Sequence, residues 1–101
     1  MSTPILTLDV GDVLRATLRF TDPDTNVPVD PTAVYFAVKS PSGTTTTYQY
    51  TVDSEVTKRS TGNYRLVVEI DEAGTWYVRG YSTGANQAAE SGQITATANP
   101  T

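Results

Sequence analysis

The fold is decided by a ten-residue stretch, Asp71-Glu72-Ala73-Gly74-Thr75-Trp76-Tyr77-Val78-Arg79-Gly80, in which a polar turn leads into a strand. Acidic residues and glycine are turn formers, and here they separate one alternating segment from the next. In the second segment Trp76, the only tryptophan of the chain, shares one side with Val78. Tyr77 and Arg79 take the other side, because successive side chains of a strand point in opposite directions. This pattern predicts an antiparallel β-sandwich with Trp76 in its core.

Alternation of apolar and polar residues recurs along the whole chain and predicts about seven short strands. The chain contains 18 threonines and six tyrosines, and β-branched and aromatic side chains favour strands. No segment keeps the apolar spacing of a helix over three turns. The predicted strands cover residues 5–8, 13–20, 33–39, 44–52, 63–70, 75–81 and 93–98, with a further short one at 55–59. Two facing sheets bury more of their apolar side chains than one sheet would, so the fold class is all-β with 44–52 at a sheet edge.

Length and composition narrow the classes of function. A chain of 101 residues forms one domain, residues 1–101, around a single core. The absence of histidine and cysteine excludes Ser-His-Asp triads, thiol catalysis and zinc sites built on those ligands. The acidic residues lie mostly in predicted turns rather than in pairs that face a cleft, as a glycosidase requires. We therefore expect no enzyme, no catalytic residue and no cofactor.

Charge and hydropathy indicate which classes of partner the chain is not expected to bind. The net charge is −4, and the seven basic residues are scattered along the sequence. Nucleic-acid binding depends on clustered lysine and arginine, so a nucleic-acid partner is not expected. The sequence has no apolar run of the roughly 20 residues that cross a bilayer, and its first residues lack the pattern of a secretory signal. A membrane partner is not expected either.

One segment, Asp22-Pro23-Asp24-Thr25-Asn26, resembles the start of a calcium-binding loop, with Asp30 as a further oxygen donor. An EF-hand loop requires glycine at its sixth position and an acid at its twelfth, where this chain has Val27 and Ala33. Runs of aspartate, proline and asparagine are also ordinary turn formers. We expect a plain turn and no metal site.

The side chains that point away from the predicted core are the candidate contact residues. Tyr35, Tyr77 and Tyr81 have the opposite parity to the core residues, and tyrosine is favoured at protein interfaces. They are interpreted first as cover for the outer side of a sheet and second as a platform for sugar stacking. The polar segment 82–92 is longer than most hairpin connections and is the candidate contact loop. The predicted protein-contact residues are Tyr77, Tyr81, Gln87 and Glu90.

Three groups of motifs resemble a known family. The first group is Gly11-Asp12-x-Leu14-Arg15-Ala16-Thr17 with Val29-Asp30-Pro31-Thr32 and Ser40-Pro41-Ser42-Gly43, and the second is Ser60-Thr61-Gly62-Asn63-Tyr64. The third is the stretch from Asp71 to Gly80 with the Gln87-Ala88-Ala89-Glu90 loop. Together they are similar to small immunoglobulin-like proteins encoded among the virion structural genes of tailed bacteriophages. In immunoglobulin domains the comparable corner is Asp-x-Gly-x-Tyr-x-Cys. Here Trp76 stands in place of the tyrosine and Val78 in place of the cysteine, so the disulfide is missing.

The resemblance implies an immunoglobulin-like sandwich with a structural role in the virion, assembled in the host cytoplasm. It implies an accessory protein that decorates the capsid surface, with coat, neck or tail proteins as partners. A position at the head-tail neck or on the tail is the first alternative, and a carbohydrate-binding adhesion module is the second. The implied protein is a homo-oligomer or is present in many copies on a symmetric particle, where avidity strengthens weak contacts.

Overall fold

The computed structural model describes residues 5–83 and 91–100, and these form a sandwich of two antiparallel four-stranded sheets. The strands are β1 (Ile5–Leu8), β2 (Asp12–Thr21), β3 (Ala33–Lys39), β4 (Thr45–Gln49), β5 (Val56–Ser60), β6 (Asn63–Glu69), β7 (Gly74–Thr83) and β8 (Ser91–Pro100). One sheet has the order β1-β7-β3-β4 and the other β5-β6-β2-β8. The described part of the chain contains no helix. The predicted all-β sandwich is confirmed, with eight strands where the sequence predicts about seven.

The strand order shows how closely the sandwich follows the immunoglobulin pattern. In that pattern strands A, B, E and D form one sheet and strands C, F and G the other, with an additional C′ strand in some domains. Strands β2 to β7 correspond to B, C, C′, D, E and F in this scheme. The two terminal strands are exchanged, because β1 pairs with β7 and β8 pairs with β2. The chain therefore keeps the immunoglobulin order only for its six central strands.

The core lies between the sheets and consists of the residues that the alternation turns inward. Its members include Leu14, Ala16, Leu18 and Phe20 of β2, Val34, Phe36 and Val38 of β3, Tyr64 and Leu66 of β6, and Trp76 and Val78 of β7. Burial of each large apolar side chain contributes about 1.5–3 kcal/mol. Gly80 also faces this core, where an added Cβ would lie 2.7 Å from Leu18 Cδ2. The absence of a side chain at Gly80 leaves room for Leu18 of the opposite sheet.

Trp76 connects the turn before β7 to the core. The residue is 6% exposed, and its Nε1–H donates a hydrogen bond of 2.9 Å to the backbone carbonyl of Glu72. The tyrosine corner of immunoglobulin domains makes the same kind of bond from a tyrosine hydroxyl to the backbone a few residues upstream. An indole therefore replaces a phenol in this role. The bond fixes both the path of the turn and the depth at which β7 enters the core.

We expect Trp76→Phe to lower the free energy of unfolding by about 1–3 kcal/mol, because it leaves the Glu72 carbonyl without this donor and shrinks the buried ring. Urea unfolding followed by circular dichroism measures the loss. Trp76→Tyr is the matched control, since its hydroxyl restores a donor, and it should retain more stability than the phenylalanine variant. Equal stability of the two variants would contradict a role for the hydrogen bond.

Asp30 fixes the long loop between β2 and β3 to the β5–β6 hairpin. Its carboxylate accepts hydrogen bonds from the Gly62 backbone N–H at 2.8 Å and from the Tyr64 hydroxyl at 3.1 Å. It also forms an ion pair with Lys58, at 2.7 Å from Nζ. The bond from Lys58 first, and then those from Gly62 and Tyr64, hold the pKa of Asp30 below its ordinary value. Asp30, weighed from the sequence as a metal donor, is a structural hydrogen-bond acceptor.

The lowered pKa of Asp30 predicts an acid-sensitive contribution to stability. This contribution is present above the unfolded-state pKa of about 3.9 and is lost as the pH falls through the lower folded-state value. We expect Asp30→Asn to be about 1 kcal/mol less stable than the parent at pH 7, because solvent screens the partly exposed ion pair. Urea unfolding between pH 7 and pH 3 should show this difference shrinking below about pH 4.

Asp24→Asn removes an exposed carboxylate from the same loop and is the control for the loss of one negative charge. The pH dependence of its stability should follow that of the parent protein. A difference between Asp30→Asn and the parent that stays constant across the pH range would contradict the assignment to Asp30.

Residues 22–27 form the turn that the sequence predicts. Asp22 Oδ1 accepts a hydrogen bond of 2.8 Å from the Asp24 backbone N–H, and the Asp22 carbonyl accepts one of 2.8 Å from Asn26. Asn26 has a φ of 61°, a conformation that asparagine tolerates better than most residues. The Asp22 carboxylate thus organises its own backbone.

Strand β4 lies at the edge of its sheet, as the sequence predicts, and is shorter than the predicted segment 44–52. The strand ends at Gln49, and only the bond of 3.0 Å from the Tyr50 N–H to the Val34 carbonyl continues the pairing before a turn begins. The Gln49 N–H donates to Asp53 Oδ2 at 2.8 Å, and the Asp53 N–H donates to the Gln49 carbonyl at 2.9 Å. These bonds occupy backbone N–H and C=O groups that would otherwise stay unpaired at the edge of the sheet.

Candidate protein-docking face

The outer side of the β1-β7-β3-β4 sheet gathers aromatic and basic side chains into one surface. Two neighbouring strands supply them, and we call this surface the tyrosine face: Tyr35 and Lys39 of β3, and Tyr77, Arg79 and Tyr81 of β7. Tyr77 is 40% exposed, while Tyr35 and Tyr81 are half-buried. Ile5 of β1 lies opposite Tyr77 in the register and is 62% exposed, which extends the apolar part of the surface.

The pairing of β3 with β7 brings these side chains into contact. Tyr35 lies directly opposite Tyr81, and their rings stack with centroids 5.0 Å apart and planes 15° apart. Lys39 lies opposite Tyr77 with its Nζ 5.9 Å from the ring centroid. The Arg79 guanidinium carbon lies 5.4 Å from the Tyr81 centroid. Each ring therefore has a neighbour that limits its rotation, so the side chains of this surface are ordered by contacts with one another.

The charge of the tyrosine face is opposite to that of the chain. The protein has a net charge of −4, but the tyrosine face carries Lys39 and Arg79, and the outward positions of all four strands of its sheet carry no carboxylate. Threonine, alanine and glutamine occupy the remaining outward positions of β3 and β4, so the rest of the surface is small and polar. The outer side of this sheet thus presents aromatic rings and two cations.

The predicted contact residues have different outcomes. Tyr77 and Tyr81 lie on the outer side as the alternation predicts, and their role in contacts stays a prediction. Lys39 and Arg79 were not predicted as contact residues, although their outward parity is visible in the sequence. The signal that was missing is the register between β3 and β7, which places each cation beside a ring.

The predicted contact loop 82–92 is wrong at both ends. Strand β7 runs to Thr83, and Ser82 is buried at 6% exposure because it continues the inward parity of Trp76. Strand β8 already begins at Ser91. Small polar residues at these ends hid the strands from a search based on apolar alternation. Gln87 and Glu90 lie outside the described residues.

Sugar stacking requires open ring faces, and the rings differ in this respect. Tyr35 and Tyr81 stack on each other, and Arg79 lies close to Tyr81, so part of their ring surface is already in contact. Tyr77 is the most exposed of the three, with Lys39 beside it. Contacts of this kind suit a side-chain surface that meets another protein more than an open aromatic platform.

Comparisons with known proteins found no relative of this chain. No family model matches the sequence, and neither a curated protein nor a solved structure is significantly similar to it. Within residues 5–83 and 91–100 there is no helix that could cross a membrane and no group of three or more acidic side chains placed to hold a metal ion.

Proposed function

We propose that this chain is a non-enzymatic structural protein that docks on a partner protein through its tyrosine face. The setting we propose is the virion of a tailed bacteriophage, with the protein as an accessory on the capsid surface. The resemblance of its sequence motifs supports the setting, and the paired aromatic and basic side chains of Tyr35, Lys39, Tyr77, Arg79 and Tyr81 support the docking role.

The composition and order of the tyrosine face favour protein contact. Tyrosine and arginine are enriched where interfaces concentrate their binding energy. Side chains that are already stacked or paired lose less conformational entropy on binding than free ones do. The Tyr35–Tyr81 stack and the Arg79–Tyr81 contact provide this order in the unbound protein. The cations add attraction toward an acidic partner surface.

The size of the face suits a multicopy protein. Even the whole outer side of the sheet that carries it, with four strands spaced about 4.8 Å apart and about six residues long, presents a surface on the order of only 400 Å². Stable complexes bury about 800 Å² on each partner, so a single contact through this face is weak. Many copies on a symmetric particle convert weak contacts into strong overall attachment. This arithmetic favours a particle lattice over a single soluble partner.

The test is co-sedimentation of the purified protein with particles assembled from coat, neck and tail proteins encoded in the same genome. We expect the parent to bind, and Tyr77→Ala and Arg79→Glu each to lower binding at least tenfold, because they remove the exposed ring and reverse the charge beside Tyr81. Arg19→Glu reverses an exposed cation on the outer side of the other sheet and should leave binding unchanged.

Circular dichroism and urea unfolding of all three variants check that each variant is folded. Cryo-electron microscopy of the bound particles then shows whether the density lies on the coat, the neck or the tail. Absence of binding to every particle component, or equal loss with Arg19→Glu, would contradict docking through the tyrosine face. Glycan-array binding that is lost with Tyr77→Ala and Tyr81→Ala would support the carbohydrate-binding alternative instead.

A further inference from the structure

A cleft opens between the two sheets where β5 is too short to close the sandwich. Strand β5 begins at Val56, which pairs with Leu66, so the last three residues of β6 have no β5 residue in register beside them. A single backbone bond, from the Val67 N–H to the Glu55 carbonyl, continues beyond that pairing. Between this end of β6 and the edge strand β4 lies a cleft of about 300 Å³.

The cleft has an apolar floor and a polar, acidic rim. Val38, Val68 and Trp76 form the floor, and the half-buried ring of Tyr48 forms a wall. The rim carries the hydroxyl residues Ser40, Ser42, Thr44 and Thr46 and the acidic residues Asp71 and Glu72, and Glu69 lies next to it at the end of β6. No lysine or arginine is among the described residues that line it. Glu69 has the outward parity of β6, opposite to Val68, so Asp71 and Glu72 are the acidic side chains of the rim.

The local contacts hold this rim in place. Glu72 Oε2 accepts a hydrogen bond of 3.3 Å from the Ser42 hydroxyl, which joins the β6–β7 turn to the β3–β4 turn across the mouth. The backbone carbonyl of Glu72 is held by Trp76 on the floor. Burial first, and then the negative charges of Glu55, Asp53 and Asp71, raise the pKa of Tyr48. The wall of the cleft therefore lies in a negative potential.

We propose that this cleft receives an arginine side chain of a partner protein. A long aliphatic stem that ends in a charged head matches an apolar floor beneath an acidic rim. The guanidinium group bonds to carboxylates through two parallel donors and also stacks on aromatic rings, so the Tyr48 wall and the carboxylates act on the same group. A cavity near the lower limit of about 300–1,000 Å³ for small-molecule pockets fits one long side chain.

The arginine cleft is separate from the tyrosine face. Its lining comes from the interior side of Val38 and Trp76 and from the turns at one end of the sheets, whereas the tyrosine face lies on the outer side of β3 and β7. A partner that bound to both the basic tyrosine face and the acidic cleft would contact opposite charges at the two sites. This difference would fix the orientation of the partner on the chain. Each site is tested without the other.

The test uses Trp76, the only indole of the chain, as a fluorescent reporter on the floor of the cleft. The protein is titrated at low salt with capped Gly-Arg-Gly and, in parallel, with capped Gly-citrulline-Gly, which has the same shape without the charge. We expect a saturable change with the arginine peptide, with a dissociation constant on the order of 1 mM, and no saturable change with the citrulline peptide.

Variants assign the binding to the carboxylates. The double variant Asp71→Asn, Glu72→Gln should weaken the arginine peptide at least tenfold, whereas Asp24→Asn and Tyr77→Ala should bind it like the parent. An equal response to both peptides, no saturable response, or unchanged binding by the double variant would overturn the proposal. Concentration-dependent self-association that the double variant abolishes would also overturn it, because the arginine would then come from a second copy.

Discussion

The structure depends on the depth at which β7 is held in the core, and Trp76 sets that depth. The indole is buried among the apolar side chains of both sheets while its N–H bonds to the turn that precedes the strand. Strand β7 carries the inward Val78 and the outward Tyr77, so a shift of one residue would exchange the two sides. The same bond positions Glu72 at the mouth of the cleft. Core, tyrosine face and cleft therefore share one constraint.

Basic and acidic residues occupy different kinds of secondary structure in this chain. All seven lysines and arginines lie in strands, and most of their long side chains extend from the outer sides of the sheets. Lys58 is the exception, since it lies opposite Tyr64 in the register and pairs with Asp30. The described acidic residues lie outside the strands, apart from Asp12 and Glu69, which are the terminal residues of β2 and β6. Carboxylates form turns and cap backbone groups, as Asp22 and Asp53 do here. A chain of net negative charge thus presents a positive sheet surface and a negative cleft.

The sequence predicts local features of the sites but not their assembly. Alternation assigns Tyr77, Arg79 and Lys39 to outer sides, since parity is a property of each strand alone. It does not show that Lys39 lies beside Tyr77, because β3 and β7 are far apart in sequence and only their register joins them. The hydrogen bonds of Asp30 are likewise formed with residues about thirty positions away. Turn chemistry alone predicts at Asp30 only an oxygen donor that a metal ion could use.

By itself the sequence determined the fold class, the inward and outward side of most strands and the position of Trp76 at a turn, because side-chain periodicity and turn chemistry act over a few residues. Tertiary structure decided which sheet each terminal strand joins, where β5 ends and which rings and cations meet. These features depend on pairing between distant segments. Both sheets offered an antiparallel edge to the terminal strands, and a strand's own residues do not say which neighbour it takes.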